Sequence, residues 1–372
     1  MGLGNPDLVE FIRATIRRHG PVNFAWFMEQ ALYHPEFGYY SSGWCRIGRR
    51  GDYFTNVSVG PLFGQVLAAQ FREMWEVMGR PADFTIVEQG AHEGDFARDV
   101  LEALRERAPD FLATVRYGIV EPFPVLEERQ KEALRDFPVT WWKSLEEMPE
   151  FCGVHFSNEL LDAMPVRLVV REGAGEWREK LVKEAADGFQ FMTQPISDER
   201  LRERLASVSS RGTGNYETEI NLAALDWIRT VSGKLGRGFI LAVDYGFSRT
   251  EFFAPGRTAG TLQGYSSQRT VSSPLEEIGH ADIAAHVEWT SVVERAEQCG
   301  LTIVGFTDQH HFMTGMLTVA EPAADQRRAL QTLMHPEFLG TRFQYLALGK
   351  DVPGASLSGF RFARDPRALL GT

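Results

Sequence analysis

Short runs rich in β-branched and apolar residues alternate with amphipathic stretches along most of the chain. FTIVEQG (84–90) reads as a strand, and GDFARDVLEALRER (94–107) as a helix with Phe96, Val100, Leu101 and Leu104 on one face. VRYGIVE (115–121) reads as a second strand and FPVLEERQKEALR (123–135) as a charged helix, with VTWW (139–142) and GVHFSNE (153–159) as further strands. Then come a helix through ETEINLAALDWIRTVSGKL (217–235), a strand FILAVDYG (239–246), and a helix from Trp289 to Gly300 carrying Val292, Val293 and Ala296 on one face. LTIVGFTD (301–308) and FQYLALGK (343–350) complete the set of strands. Strands apolar on both faces and separated by helices imply a mostly parallel sheet covered on both sides, an α/β fold.

Two stretches break the alternation. Residues 166–215 contain VRLVVREGAGEWREKLVKEAADGFQFMTQ, whose polar–apolar alternation around a Gly-rich break predicts antiparallel hairpins inserted in the core. Residues 250–286 are turn-rich, with Pro255, Gly256, Gly260, Gly264, Ser266, Ser267 and Pro274; a long irregular segment of this kind reads as a binding loop on the substrate side. The expected organisation is a helical N-terminal region over 1–80 packed on the core, a core over 81–165 and 216–350, the β-rich insert at 166–215, and a C-terminal tail at 351–372. No internal repeat or low-complexity segment is seen.

Composition narrows the function classes. The chain has 372 residues, 44% of them hydrophobic, and no window nears the ~18–20 consecutive apolar residues of a membrane helix. A net charge of −11 disfavours nucleic acid, and the basic cluster Arg46, Arg49 and Arg50 reads as a solvated loop. The N-terminus carries basic residues but reads as an amphipathic helix entering the body rather than a transit peptide. Cys45, Cys152 and Cys299 are far apart, without a Cys-x-x-Cys, so a reducing, cytoplasmic setting is expected and no structural zinc. His280 and His286 are six apart, which does not make a helical metal pair.

The candidate chemistry gathers at the ends of strands, where ligands bind in open parallel sheets. The first strand runs into Glu88-Gln89-Gly90-Ala91-His92-Glu93-Gly94, the second ends at Glu121, another at Asn158-Glu159, and another at Asp244-Tyr245-Gly246. An acid after the second strand suits a ribose, because a carboxylate accepts hydrogen bonds from both hydroxyls. Gly90 and Gly94 suit close backbone approach at the mouth of a helix. They equally suit a tight turn with no ligand, with Glu88 and Glu121 merely solvated. The dinucleotide fingerprint Gly-x-Gly-x-x-Gly is absent: His92 stands two residues after Gly90, where a pyrophosphate needs glycine. That disfavours NAD; S-adenosylmethionine has no pyrophosphate, so one missing glycine is less damaging for it.

The ordered set of motifs resembles the MidA-like family of S-adenosylmethionine-dependent methyltransferases. It comprises FMEQALYHPEFGYYSSG (27–43), GDYFT (51–55), PLFGQVLA (61–68), the strand-end acids, SNELLDAMPVR (157–167), LAVDYGF (241–247), GTLQGYSSQR (260–269) and ADIAAHVEWTSV (281–292). The resemblance implies a class I methyltransferase: a Rossmann-like, seven-stranded, mostly parallel sheet with an added substrate-side region. It implies S-adenosylmethionine as cofactor and arginine of a partner protein as substrate, a respiratory-complex subunit by analogy with the family, with no nucleic acid and no membrane insertion. A homodimer is left open. Carried over by motif, Glu88, Gly90, His92, Gly94, Glu121 and Asn158 bind the cofactor, while Glu159 and Asp162 clamp a guanidinium for in-line attack. Helix capping by those two acids is the competing explanation. Asp282 and His286 fall in the family's Asp-x-x-x-His-Val run, and His286 reads as an oriented structural residue. His310 and His311 read as strand-end residues without a role.

The chain departs from the family pattern in GAHEG for a fuller glycine turn, in Asn56-Val57-Ser58-Val59-Gly60 for Pro-Glu-x-Ser, and in Gln263 for a basic residue. Three functions therefore stay in play: an active protein methyltransferase, a catalytically weak or inactive binding or assembly factor of the same fold, and another α/β nucleotide enzyme such as a dehydrogenase.

Overall fold

The computed structural model describes residues 3–43, 55–173, 175–208, 214–266 and 269–372. Cys45, the Arg46/Arg49/Arg50 cluster, GDYFT up to Phe54, and Ser267 lie outside the described residues. The chain divides into two compact units, one of Met1–Phe54, Leu161–Asp226 and Phe247–Trp289, the other of Thr55–Leu160, Trp227–Gly246 and Thr290–Thr372.

The second unit holds the α/β sheet. Its strands are β1 (Phe84–Gln89), β2 (Val115–Val120), β3 (Val139–Trp142), β4 (Phe151–Asn158), β5 (Leu235–Phe247), β6 (Thr302–Asp308) and β7 (Phe343–Lys350), hydrogen-bonded in the order β3-β2-β1-β4-β5-β7-β6. β3, β2, β1, β4 and β5 are mutually parallel, while β7 runs antiparallel to both β5 and β6. Strand order therefore reverses between β1 and β4, which is where the carboxyl ends open a crevice in folds of this kind. The expected strands and the mostly parallel sheet are present.

Helices pack on this sheet through the predicted apolar stripes. α1 (Leu62–Val77) buries Phe63, Leu67, Phe71 and Met74, and α2 (Asp95–Arg107) buries Phe96, Val100, Leu101 and Leu104. Phe96 stacks on Phe156 of β4 with ring centroids 4.5 Å apart, which fixes the entry of α2 against the sheet. α3 (Pro124–Ala133) follows β2, with proline at its first turn where a missing N–H costs nothing. The parallel pairing of β4 and β5 depends on glycine at one contact. Gly238 has φ +134, and a Cβ there would stand 1.9 Å from the carbonyl oxygen of Gly153.

Two expectations are corrected. The helix read over 217–235 starts later: Tyr216–Ile220 is a strand and the helix is Leu222–Lys234. Asn221 separates them, its side-chain oxygen accepting from the Ala224 N–H, 2.9 Å, as an N-cap does. His310 and His311 are not strand-end residues but open the helix Gln309–Ala320, capped by Asp308 through the His311 N–H, 2.9 Å.

The first unit begins with the helices Pro6–His19 and Phe24–Tyr33. Its larger sheet is antiparallel, in the order Val22–Asn23, Arg178–Ala185, Arg167–Arg171, Tyr216–Ile220, with Gly188–Pro195 also paired to Arg178–Ala185. The stretch 250–286 contributes a three-stranded sheet of Arg269–Thr270, Gln263–Ser266 and Asp282–Ala284. Leu8, Ile12, Phe24, Phe27, Leu168, Val182 and Ile283 form one core in this unit. Among the described residues no helix is long and apolar enough to cross a membrane, and no group of three or more His, Cys, Asp or Glu is placed to hold a metal ion.

Candidate functional site

The turn after β1 is left-handed at three positions. Gly90 has φ +84, His92 φ +47 and Gly94 φ +85. A glycine occupies such backbone freely, whereas a residue with a Cβ is strained there by roughly 1–3 kcal/mol. His92 thus keeps a glycine conformation without being glycine, and the turn closes with the Gly94 N–H on the Ala91 carbonyl, 2.8 Å. The two glycines differ in surroundings. Gly90 is exposed, and a Cβ there would meet only the Leu160 side chain at 3.5 Å. Gly94 is buried, and a Cβ there would stand 3.3 Å from Gln130 Cα on α3. Close approach at Gly94 is therefore to a neighbouring helix.

The acids at the strand ends are enclosed. Glu88 is 3% exposed and accepts a hydrogen bond from the Tyr117 hydroxyl, 2.7 Å. Burial pushes its carboxyl up to about 8, and the tyrosine only partly opposes this. Glu121 is 4% exposed; its Oε1 accepts from the Phe123 N–H at 3.0 Å and its Oε2 from Gln130 Nε2 at 2.7 Å. Burial raises it to about 7, with both donors holding it down. Each oxygen keeps acceptor capacity beyond its one protein donor, which is what two ribose hydroxyls require.

At the carboxyl end of β4, Asn158 Oδ1 accepts from Asn56 Nδ2 at 3.2 Å, and Asn158 Nδ2 donates to Glu159 Oε1 at 2.9 Å. Glu159 has φ +54, a second strained non-glycine residue at the switch point, and its N–H donates to the Val243 carbonyl of β5, 2.9 Å. Leu160 N–H donates to Asp244 Oδ2, 3.1 Å, so β4 and β5 are laced together at their ends. No helix begins between Glu159 and Ala163, which removes helix capping as the explanation for the two acids. Glu88, Gly90, His92, Gly94, Glu121, Asn158 and Glu159 all belong to the second unit, whereas Asp162 belongs to the first, where its carbonyl accepts from the Ala285 N–H, 2.9 Å.

Asp282 and His286 have structural partners in the first unit. Asp282 Oδ1 accepts from the Tyr40 hydroxyl, 2.8 Å, joining two of the recognised motifs. The His286 N–H donates to Thr261 Oγ1, 2.9 Å, while the Thr261 N–H donates to buried Glu219, 2.8 Å. Burial raises Glu219 to about 7.

Three residues of these networks escape a reading of the sequence. Asn56 is fully buried but opens the stretch where the chain departs from the family's Pro-Glu-x-Ser pattern. Glu219 lies within a segment read as helix, and the alternation of Tyr216, Thr218 and Ile220 was the available signal. Gln130 is fully buried within a charged helix and carries no local signal at all.

A family model described as "Putative S-adenosyl-L-methionine-dependent methyltransferase" matches residues 66–307. Two crystal structures from Burkholderia thailandensis share the fold over nearly their whole length. One, bound to S-adenosyl-homocysteine, is 31% identical with a TM-score of 0.87, covering 98% of this chain and 99% of that one. The other, a native structure, is 30% identical with a TM-score of 0.86. The Drosophila melanogaster "Protein arginine methyltransferase NDUFAF7 homolog, mitochondrial" is 27% identical, covering 96% of this chain and 88% of its own. The Homo sapiens "Protein arginine methyltransferase NDUFAF7, mitochondrial" is 24% identical over 97% and 86%. These names correct the cytoplasmic expectation, since the fly, mouse and human relatives are all called mitochondrial. Few and scattered cysteines speak to redox conditions, not to a compartment, and could not separate the two. The matched family model and the full-length likeness identify the chain as a member of the MidA-like family of S-adenosylmethionine-dependent methyltransferases.

Proposed function

We propose that the protein transfers a methyl group from S-adenosylmethionine to an arginine side chain of a partner protein, with the cofactor held at the β1, β2 and β4 ends of the second unit. The observation that carries this reading is Glu121: a buried carboxylate after the second strand, fixed by two protein donors and keeping free acceptor capacity. In this proposal Glu121 takes the ribose hydroxyls. The turn Gly90–Gly94, including His92, receives the amino-acid end, and Asn158 lines it. Glu88, enclosed with Tyr117, supports the turn from within the sheet rather than by direct contact.

When bound, the cofactor supplies an electrophilic sulfonium methyl. The chain's own residues then have to aim the guanidinium and remove its proton afterwards. Glu159 is held by Asn158 in a strained backbone, which favours a fixed carboxylate that orients a guanidinium nitrogen. The Glu159 carboxylate would hold the guanidinium nitrogen in line with that methyl group and take up the proton the nitrogen gives off on transfer. The names of the relatives support arginine as the acceptor, and a respiratory-complex subunit is the first partner to try.

Calorimetric titration with S-adenosylhomocysteine tests the pocket, and methyl transfer to proteins of a mitochondrial lysate tests the activity. Binding with transfer to arginine is the expected result. Binding without transfer would leave an assembly factor of methyltransferase fold, and no binding would remove the proposal.

A further inference from the structure

We infer that Gln130 is a positioning residue for cofactor binding, a single buried amide that locks the glycine turn, the ribose-binding acid and the third strand into one preformed cradle. The inference rests on the placement of the cofactor proposed above. It concerns a residue that neither the family motifs nor the sequence pattern singles out.

Gln130 lies near the end of α3 and is fully buried, although its helix is otherwise charged. Its Nε2 donates to the His92 carbonyl at 2.8 Å and to Glu121 Oε2 at 2.7 Å. Its Oε1 accepts from Trp141 Nε1 at 3.0 Å. Both amide hydrogens and the carbonyl are therefore used, so the side chain has no second orientation of equal energy. A flipped amide would set its oxygen against the carboxylate and the His92 carbonyl, and its N–H groups against an indole donor.

The three partners belong to two successive β–α connections and the strand that comes next. His92 is in the turn after β1, Glu121 follows β2, and Trp141 is in β3. No backbone hydrogen bond joins the first turn to the second acid, so the amide is their link among the contacts described. Gly94 completes the arrangement from the other side. Its missing Cβ lets the turn lie against Gln130 Cα and Cγ, 3.3 and 3.5 Å from where a Cβ would be.

The consequence for binding is twofold. The donor on Oε2 helps to keep Glu121 ionised in a buried setting, and an ionised carboxylate is the better acceptor for ribose hydroxyls. The two hydrogens of the one amide together keep the carboxylate plane and the glycine turn in register, so that a ligand spanning both does not spend binding energy ordering them.

Gln130→Met keeps volume and flexibility but removes every donor and acceptor. S-adenosylhomocysteine affinity, measured by calorimetry from pH 6 to pH 9, should weaken about tenfold at pH 7.5, the usual size for a lost hydrogen bond to a charged group. The pH below which affinity declines should also move upward, because Glu121 loses a donor that favoured its charged form. In a Glu121→Gln background the Gln130→Met effect should shrink to within about twofold, since coupled residues are not additive. Trp141→Phe removes only the donor that anchors the amide and should give a smaller loss in the same direction, which keeps the test available if Gln130→Met does not fold. A Gln130→Met protein that melts like the wild type and binds with unchanged affinity and pH profile would overturn the inference. A wild-type protein that fails to bind S-adenosylhomocysteine would instead remove the underlying cofactor placement.

Discussion

Replacing Gly90 separates what the turn does for folding from what it does for binding. Gly90 has φ +84, and a Cβ there meets only Leu160 Cδ1, at 3.5 Å, an ordinary contact. The cost of Gly90→Ala is therefore backbone strain without a clash, about 1–2 kcal/mol. Out of a total stability of roughly 5–15 kcal/mol this leaves the protein folded, with a melting temperature lower by ~2–8 °C. Gly90→Asp should destabilise less than alanine, because Asp tolerates the left-handed region better and the position is exposed. Binding should rank the other way. Alanine adds one methyl where backbone is to face the ligand. Aspartate adds a longer side chain and a charge beside the cofactor's own carboxylate, and like charges in such proximity cost several kcal/mol. S-adenosylhomocysteine affinity should then fall about a hundredfold or more in the aspartate variant. Thermal melts of the ligand-free proteins alongside calorimetric titration read both rankings. Unchanged affinity in Gly90→Asp would show that the pocket is not at this turn, and an alanine variant as stable as wild type would refute the strain argument itself.

Two further outcomes follow from the same geometry. At position 92, φ +47 penalises a β-branched residue most, so His92→Val should unfold at lower urea than His92→Gly by about 2 kcal/mol, while His92→Gly stays within ~1 kcal/mol of wild type and retains S-adenosylhomocysteine binding; equal stability of the valine and glycine variants would contradict the backbone assignment. Glu88 has its carboxyl raised from 4.5 to about 8 by burial, so between those values the folded protein holds a proton that the unfolded chain releases. Stability from this group is present below 4.5 and is lost as pH rises through 8; Glu88→Gln should flatten that decline in urea midpoints measured from pH 5 to pH 9, and an unaltered slope would show that Glu88 is not the group responsible.

What the sequence reveals and conceals here follows from how far each signal reaches along the chain. The sheet strands are legible because their apolar residues are contiguous, and α2 because Phe96, Val100, Leu101 and Leu104 recur at helical spacing. Tyr216–Ile220 is misread because its acids look like a helix entry, although Glu219 is buried and bonded to Thr261, which local pattern does not record. Glu121 is legible as a strand-end acid, whereas Gln130 becomes visible only when Gly94 allows α3 to close on the turn.

His92 joins these two kinds of information. As a letter it breaks a glycine pattern, and a reader of letters infers a pocket that has been lost or reshaped. As a backbone it remains in the conformation that glycine would adopt, with its carbonyl held by the same amide that holds Glu121. The turn is thus specified less by three glycines than by Gly90, Gly94 and a hydrogen-bonded carbonyl between them. Substitutions at 92 should then act on stability through φ, while substitutions at 130 act on the ligand through the carboxylate, although both alter the same loop.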